Sequence, residues 1–413
     1  MRLMAALLVT GAAAVGPAAA ESNVVSESGV GARLSSGPDG ELILSYIDRT
    51  GDTPTLQFRR ITDSDIGDPE TVSAGSNWFV NWADFPSVVP LSESRWAAHW
   101  LVRQPAGGYA YDVFISLSGD AGKTWGEPFL LHYDDTPTEH GFVSLYPHGD
   151  SLGAIWLDGR EMSPGEGHAS HGAGSMTLRS ARIDESGQFQ RSEVVDVRTC
   201  ECCDTDVAVT SKGPVAVYRN RDEDEIRDIF ITRFQDDTWT EPVAVHTDGW
   251  RITGCPVNGP SIAANGDRVS VTWFTAASGS GMVNIAWSDD AGGSFAAPVT
   301  LDAVSVVGYV GSAMQRDGAV VASWMCQRGD VYQVCYRQVA PDGTMTPIRS
   351  IEDSMVASRL TIPQVAVMGD NIYFAWAQAT DKKNGHQIML TSVTVNELVR
   401  RQELGGFKRL SAP

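Results

Sequence analysis

The residues of this chain whose types and spacing could do chemistry fall into two groups, and the first is a set of sulfurs. Cys200, Cys202 and Cys203 crowd into one short run, and Cys255 follows about one repeat length later. Thiolates gathered this closely suit a soft ion, copper or zinc, and His140 is spaced to join them. A glycine-rich loop at 165–176 adds His168, His171 and Met176. In an oxidising compartment the same sulfurs pair instead, with Cys255 as a staple to one of the other three. Both readings stand at this stage. Cys326 and Cys335 flank a Gly329-Asp330 turn and read as a cross-strand disulfide or two inert core thiols.

The second group emerges from a repeat. A strand-like run ending in an aromatic recurs at Tyr46, Trp100, Trp156, Tyr218, Trp273, Trp324 and Trp376, at intervals of 51 to 62 residues. A period near 50 means a propeller or a solenoid, and short alternating strands parted by Gly, Asp and Pro turns select the propeller. The expectation is an all-β propeller of seven four-stranded blades; six is the alternative, should the first or last unit only complete a ring. The recurring aromatics fill one slot per blade and read as core, not as sugar-stacking platforms.

In a propeller the first strand of each blade begins at the ligand face, so residues 13 to 18 positions before each aromatic should converge on the axis. That count reaches Arg33, Asp84, His140, Cys202, Cys255 and Tyr309, with only Leu360 in the seventh blade. Acids, bases, nucleophiles and one permanent cation make a chemically capable ring. Polar caps around a wet channel are the bland alternative. Arg219, Arg221, Arg227 and Glu225 lie close by in sequence, in a run so charged that it also reads as a solvated hairpin.

Composition narrows the partners. With 51 acidic against 31 basic residues and a net charge of −20, nucleic acid and anionic membrane surfaces are disfavoured. Residues 1–20 carry Arg2, an apolar run and Ala18-Ala19-Ala20, the pattern of a secretory signal. The expectation is one domain over 21–413, exported to the periplasm or outside the cell, with no membrane insertion.

Two further boxes punctuate the chain: Ser118-Gly-Asp120-Ala-Gly122-Lys-Thr124-Trp125 and Ser288-Asp-Asp290-Ala-Gly292-Gly-Ser294-Phe295, with weaker copies at Asp184 and Asp342. In each, the aspartate can accept backbone N–H bonds across a turn and the glycine can take positive φ. The pattern resembles the Asp-box (BNR repeat) of the sialidase-like β-propellers, where the box is structural and lies away from the ligand face. Arg33-Leu34-Ser35 is similar to the Arg-Ile-Pro segment of sialidases, with Ser35 in place of the proline. Sialidases have six blades, so a seven-unit reading departs from the family.

The resemblance implies roles. Arg33 would grip a carboxylate with Arg219, Arg221 or Arg227 completing the triad, and His140 would help to bind substrate. Asp84 would be the acid/base and Tyr309 the nucleophile, activated by Glu225. Three functions follow: an exported glycoside hydrolase of exo-sialidase type acting on a glycan or small-molecule ligand without a cofactor, a copper or zinc thiolate protein, or a non-catalytic binding propeller.

Overall fold

A computed structural model describes residues 22–395, apart from 39, 163–173, 352–353, 355–361 and 381–384. The signal-like segment 1–20, His168, His171 and Leu360 lie outside the described residues. Seven antiparallel sheets succeed one another along the chain as blades 1 to 7, over 29–74, 87–130, 140–196, 206–244, 261–302, 306–350 and 364–394. Six of them have four strands, and blade 4 carries a fifth, the short Val243–Ala244. The first strands of neighbouring blades touch in an unbroken ring, with Gly29–Ser36 closing against Gln364–Met368. Blade 7 takes its outermost strand, Asn23–Ser26, from the beginning of the described chain. That pairing ties the two ends of the ring together, so the count is seven.

Each blade buries its recurrent aromatic in its second strand, and all seven are almost fully enclosed. Three of the indoles hand their N–H to a carboxylate. The Trp273 indole donates to Asp248 at 2.7 Å, Trp156 to Asp158 at 2.8 Å and Trp324 to Asp302 at 3.1 Å. A buried tryptophan left without such a partner would cost much of what its burial contributes.

The two boxes sit between the third and fourth strands of blades 2 and 5. Asp120 accepts the Thr124 N–H at 2.8 Å while Ser118 Oγ accepts that of Gly122; Asp290, Ser294, Ser288 and Gly292 repeat the pattern. Gly122 and Gly292 hold φ of 82° and 80°. The first strands are irregular where they meet the axis, with register shifts after Val30, Gly141 and Gly308. Phe142 and Tyr309 there take positive φ, 53° and 58°, a conformation that bulky side chains adopt only when their surroundings force it. Among the described residues no helix is long and apolar enough to cross a membrane.

Candidate active site

The first strands enclose an axial cavity of about 290 Å³, lined among others by Arg33, Cys202, Asp204, Asp206, Ser261 and Tyr309. Blades 1, 4, 5 and 6 therefore each bring a polar group to one place. Arg33 is half-buried, and its guanidinium makes no hydrogen bond or ion pair with a described residue. Its charge is nevertheless felt by Asp84, Asp204 and Asp206, each of which it holds lower than burial alone would leave it.

Asp204 is the carboxyl most available to a ligand. Burial raises its pKa to about 6, Arg33 opposing and Asp206 reinforcing the rise, and its side chain accepts no hydrogen bond from a described residue. Its position is rigid for local reasons. The Cys202–Cys255 disulfide ties the start of blade 4 to the loop before blade 5, and in that loop Gly259 lies so close that a Cβ would fall 2.3 Å from the Asp204 carbonyl oxygen. Asp206 is engaged: it accepts the Ile262 N–H at 2.9 Å and the Ser261 hydroxyl at 3.2 Å, joining blade 4 to blade 5.

Asp84 stands behind the cavity wall formed by Ala83 and Phe142, and only 2% of it is exposed. It accepts the Phe142 N–H at 2.9 Å and meets the Tyr111 hydroxyl at 2.8 Å, which is also 2.8 Å from Glu139. One hydroxyl proton cannot serve two carboxylates, so one of the two acids must carry a proton for both contacts to be hydrogen bonds. Burial agrees with this, raising Asp84 to about 7 and Glu139 well above the usual carboxylate range. Gly141 leaves the room: a Cβ there would lie 1.9 Å from Asp84 Oδ2.

The arginines of blade 4 are committed elsewhere. Arg219 is fully enclosed and donates to the carbonyls of Asn258 at 2.8 Å, Arg227 at 2.6 Å and Phe274 at 2.7 Å. Burial pulls its pKa down to about 9, which leaves it charged at neutral pH. Arg227 bonds Glu201 at 2.7 Å and Glu225 at 3.0 Å, and Arg221 bonds the same two carboxylates. Glu225 is thus held in an ion-pair square. Tyr309, the residue it would activate, lines the axial cavity and packs edge-on against Trp82 at 5.8 Å.

His140 is not among the cavity-lining residues. The register shift after Gly141 turns Phe142 to the axis in its place, and the imidazole stacks on His132 with centroids 3.7 Å apart. Asp134 bridges the pair, 2.8 Å from His132 Nδ1 and 3.2 Å from His140 Nε2, and Asp158 lies 3.7 Å from the latter. Although burial opposes it, hydrogen bonds from both imidazoles and Thr136 pull Asp134 far below the usual carboxylate range. Asp134, His140 and Asp158 are close enough to share a cation, as are Asp112, His132 and His140. Arg160 already occupies the first set, 2.7 Å from Asp158 and 3.3 Å from Asp134.

All six cysteines are paired: Cys200 with Cys203, Cys202 with Cys255, and Cys326 with Cys335. The blade 4 and blade 5 sulfurs do meet, as their spacing required. As disulfides they present no thiolate to a metal.

Arg33, Cys202 and Tyr309 thus share the cavity. Asp84 stands one layer behind it, Cys255 is covalently tied to its wall, and His140, Arg219, Arg221, Arg227 and Glu225 are bound up in other networks. Counting one residue per blade overlooked Asp204 and Asp206, although Asp204 falls within the same window, two positions after Cys202. The Tyr111–Glu139 partnership leaves no comparable mark in the sequence.

Neither a protein-family model nor a curated protein sequence matches the chain. Among solved structures it superposes on the polysaccharide lyase Uly1 with a TM-score of 0.53 and 9% identity, over 93% of this chain and 94% of that one. The NanB sialidase from Streptococcus pneumoniae matches with a TM-score of 0.47 and 9% identity over 87% and 84%. The β-propeller domain of the Trilobed protease from Pyrococcus furiosus gives 0.47 and 9% over 89% and 97%. At 9% identity the likeness to Uly1 speaks for the fold alone and leaves the chemistry to the residues.

Proposed function

We propose that the chain is a glycan-directed propeller, a glycoside hydrolase whose axial cavity takes a carboxylate-bearing sugar. The observation that carries this reading is Arg33, a cation on the axis whose donors no described residue uses, beside a carboxyl that burial keeps partly protonated at mildly acidic pH. A guanidinium fork is matched to a carboxylate in shape as well as charge. In this reading Arg33 anchors the sugar's carboxylate and Asp204 gives its proton to the leaving glycosidic oxygen. Tyr309, which lines the same cavity, is the phenol proposed to face the anomeric carbon. Asp84, Tyr111 and Glu139 support the wall and hold a proton behind it. A three-arginine grip of sialidase type has no support from Arg219, Arg221 and Arg227, which are held by backbone carbonyls and by Glu201 and Glu225, so the anchor is single.

Fluorogenic glycosides of sialic, glucuronic and galacturonic acids, assayed beside their neutral counterparts at pH 5 to 6, test the proposal. Turnover confined to acidic glycosides, and lost in Arg33→Ala and Asp204→Asn, is the expected result. Binding without turnover would make the propeller a lectin-like receptor, and neither binding nor turnover would end the glycan reading.

A further inference from the structure

A second depression of about 520 Å³ lies beside the axial cavity, bounded by blades 1, 2 and 7. Ile362 lines both, and Trp82, on its wall, packs edge-on against Tyr309 of the cavity at 5.8 Å. Its lining is unlike the rest of the surface. In a chain with 20 more acidic than basic side chains, the described residues around it include Arg49, Arg103 and His386 but no Asp or Glu. Neither Arg49 nor Arg103 forms an ion pair with a described residue, and both are exposed. The Arg103 guanidinium lies over the Phe79 ring, 4.7 Å from its centroid, which fixes the fork without using its donors. His386 Nδ1 is buried without a hydrogen-bond partner. Positive charge, fixed donors and aromatic faces in one concavity suit a ring with an anionic substituent.

We propose that this groove is a second sugar subsite. It takes the anionic unit next to the one in the axial cavity, so the ligand is an acidic oligosaccharide lying from the axis outward between blades 1 and 2. The proposal rests on the axial reading and extends it. The electrostatic contrast does the selecting: a neutral chain of the same length gains no charge pairing from Arg49 and Arg103, and a cationic one is repelled.

Calorimetric titration of the full chain tests this with sialic, galacturonic and mannuronic acids, their oligomers of two to four units, and xylo- and cello-oligomers as neutral controls. An acidic oligomer should bind at least tenfold more tightly than its monomer. Arg49→Ala with Arg103→Ala should abolish that gain while leaving monomer affinity and melting temperature unchanged, and Arg33→Ala should weaken monomer and oligomer alike. The subsite is overturned if the oligomer gains nothing, if the double variant keeps the gain, or if neutral oligomers bind as well. Arg33-dependent monomer binding with no effect of length would sink the groove alone; no binding by any acidic sugar would sink the axial reading and the groove with it.

Discussion

Arg33 on the axis and the arginine cluster of blade 4 are built from the same residue type within one propeller, and they differ in what their donors do. In blade 4, Arg219 is spent on three carbonyls, and Arg221 and Arg227 are locked with Glu201 and Glu225. On the axis Arg33 touches no described partner, and the Asp204 carboxyl beside it is equally unengaged. A buried charge that is fully paired holds a structure together; one left unpaired in a cavity awaits something from outside. Hydrogen-bond accounting therefore separates the blade 4 arginines, held in internal networks, from Arg33, which faces the cavity without a described partner.

The sharpest way to break the contrast is to remove one arginine from each region. Arg227→Ala leaves Glu201 and Glu225 short of a buried counter-charge, and the expected loss is about 3–5 kcal/mol in urea unfolding. Arg33→Ala should cost less than about 1 kcal/mol in the same assay and abolish binding of acidic sugars. Equal effects on stability would erase the distinction. Next in size is the blade 4 to blade 5 staple. Replacing Cys202 and Cys255 by serine opens a bridge spanning 53 residues, for which chain entropy gives about 4 kcal/mol, and should weaken ligand binding as Asp204 loses its anchor.

Proton linkage sharpens the comparison further. Asp84 and Asp204 have pKa values near 7 and 6, above the value near 4 that they take when unfolded, so the native state binds protons more readily. Their contribution to stability is fully present below about pH 4 and is lost as pH rises through about 6 and 7. Asp84→Asn should flatten that part of the stability-against-pH curve; an unchanged slope would mean that Asp84 titrates normally. If Asp204 is the proton donor, turnover should fall as pH climbs past about 6. The smallest effect is expected at the outer turn of blade 2, where Asp120→Ala gives up the Thr124 and Ser118 bonds. The cost in urea unfolding should be the smallest of the set, with kcat and KM untouched.

The architecture was legible because repetition multiplies a weak pattern. One buried aromatic per blade, a period near fifty and turns of fixed composition together specify seven blades. The site was only half legible. Counting back from the aromatics reached Arg33, Cys202 and Tyr309 because an inner strand must start at the axis. It misplaced His140, because a register shift after Gly141 puts the Phe142 ring where the imidazole was expected, and a bulge of this kind has no reliable signature in sequence. The family resemblance gave Arg221 and Arg227 to the carboxylate grip and Glu225 to activating Tyr309, with no sign of the Glu201 carboxylate that captures both arginines from a different segment, between the first two cysteines of the cluster. Partners that meet only through folding decide which charges are spent.

The most direct test of the account is a crystal structure of the protein soaked with an acidic monosaccharide that it binds. The account predicts the sugar's carboxylate on the Arg33 guanidinium, in two hydrogen bonds of about 2.8 Å, with a ring or glycosidic oxygen beside Asp204. A sugar seated instead on the blade 4 arginines, or an axial cavity that stays empty at saturating ligand, would contradict it.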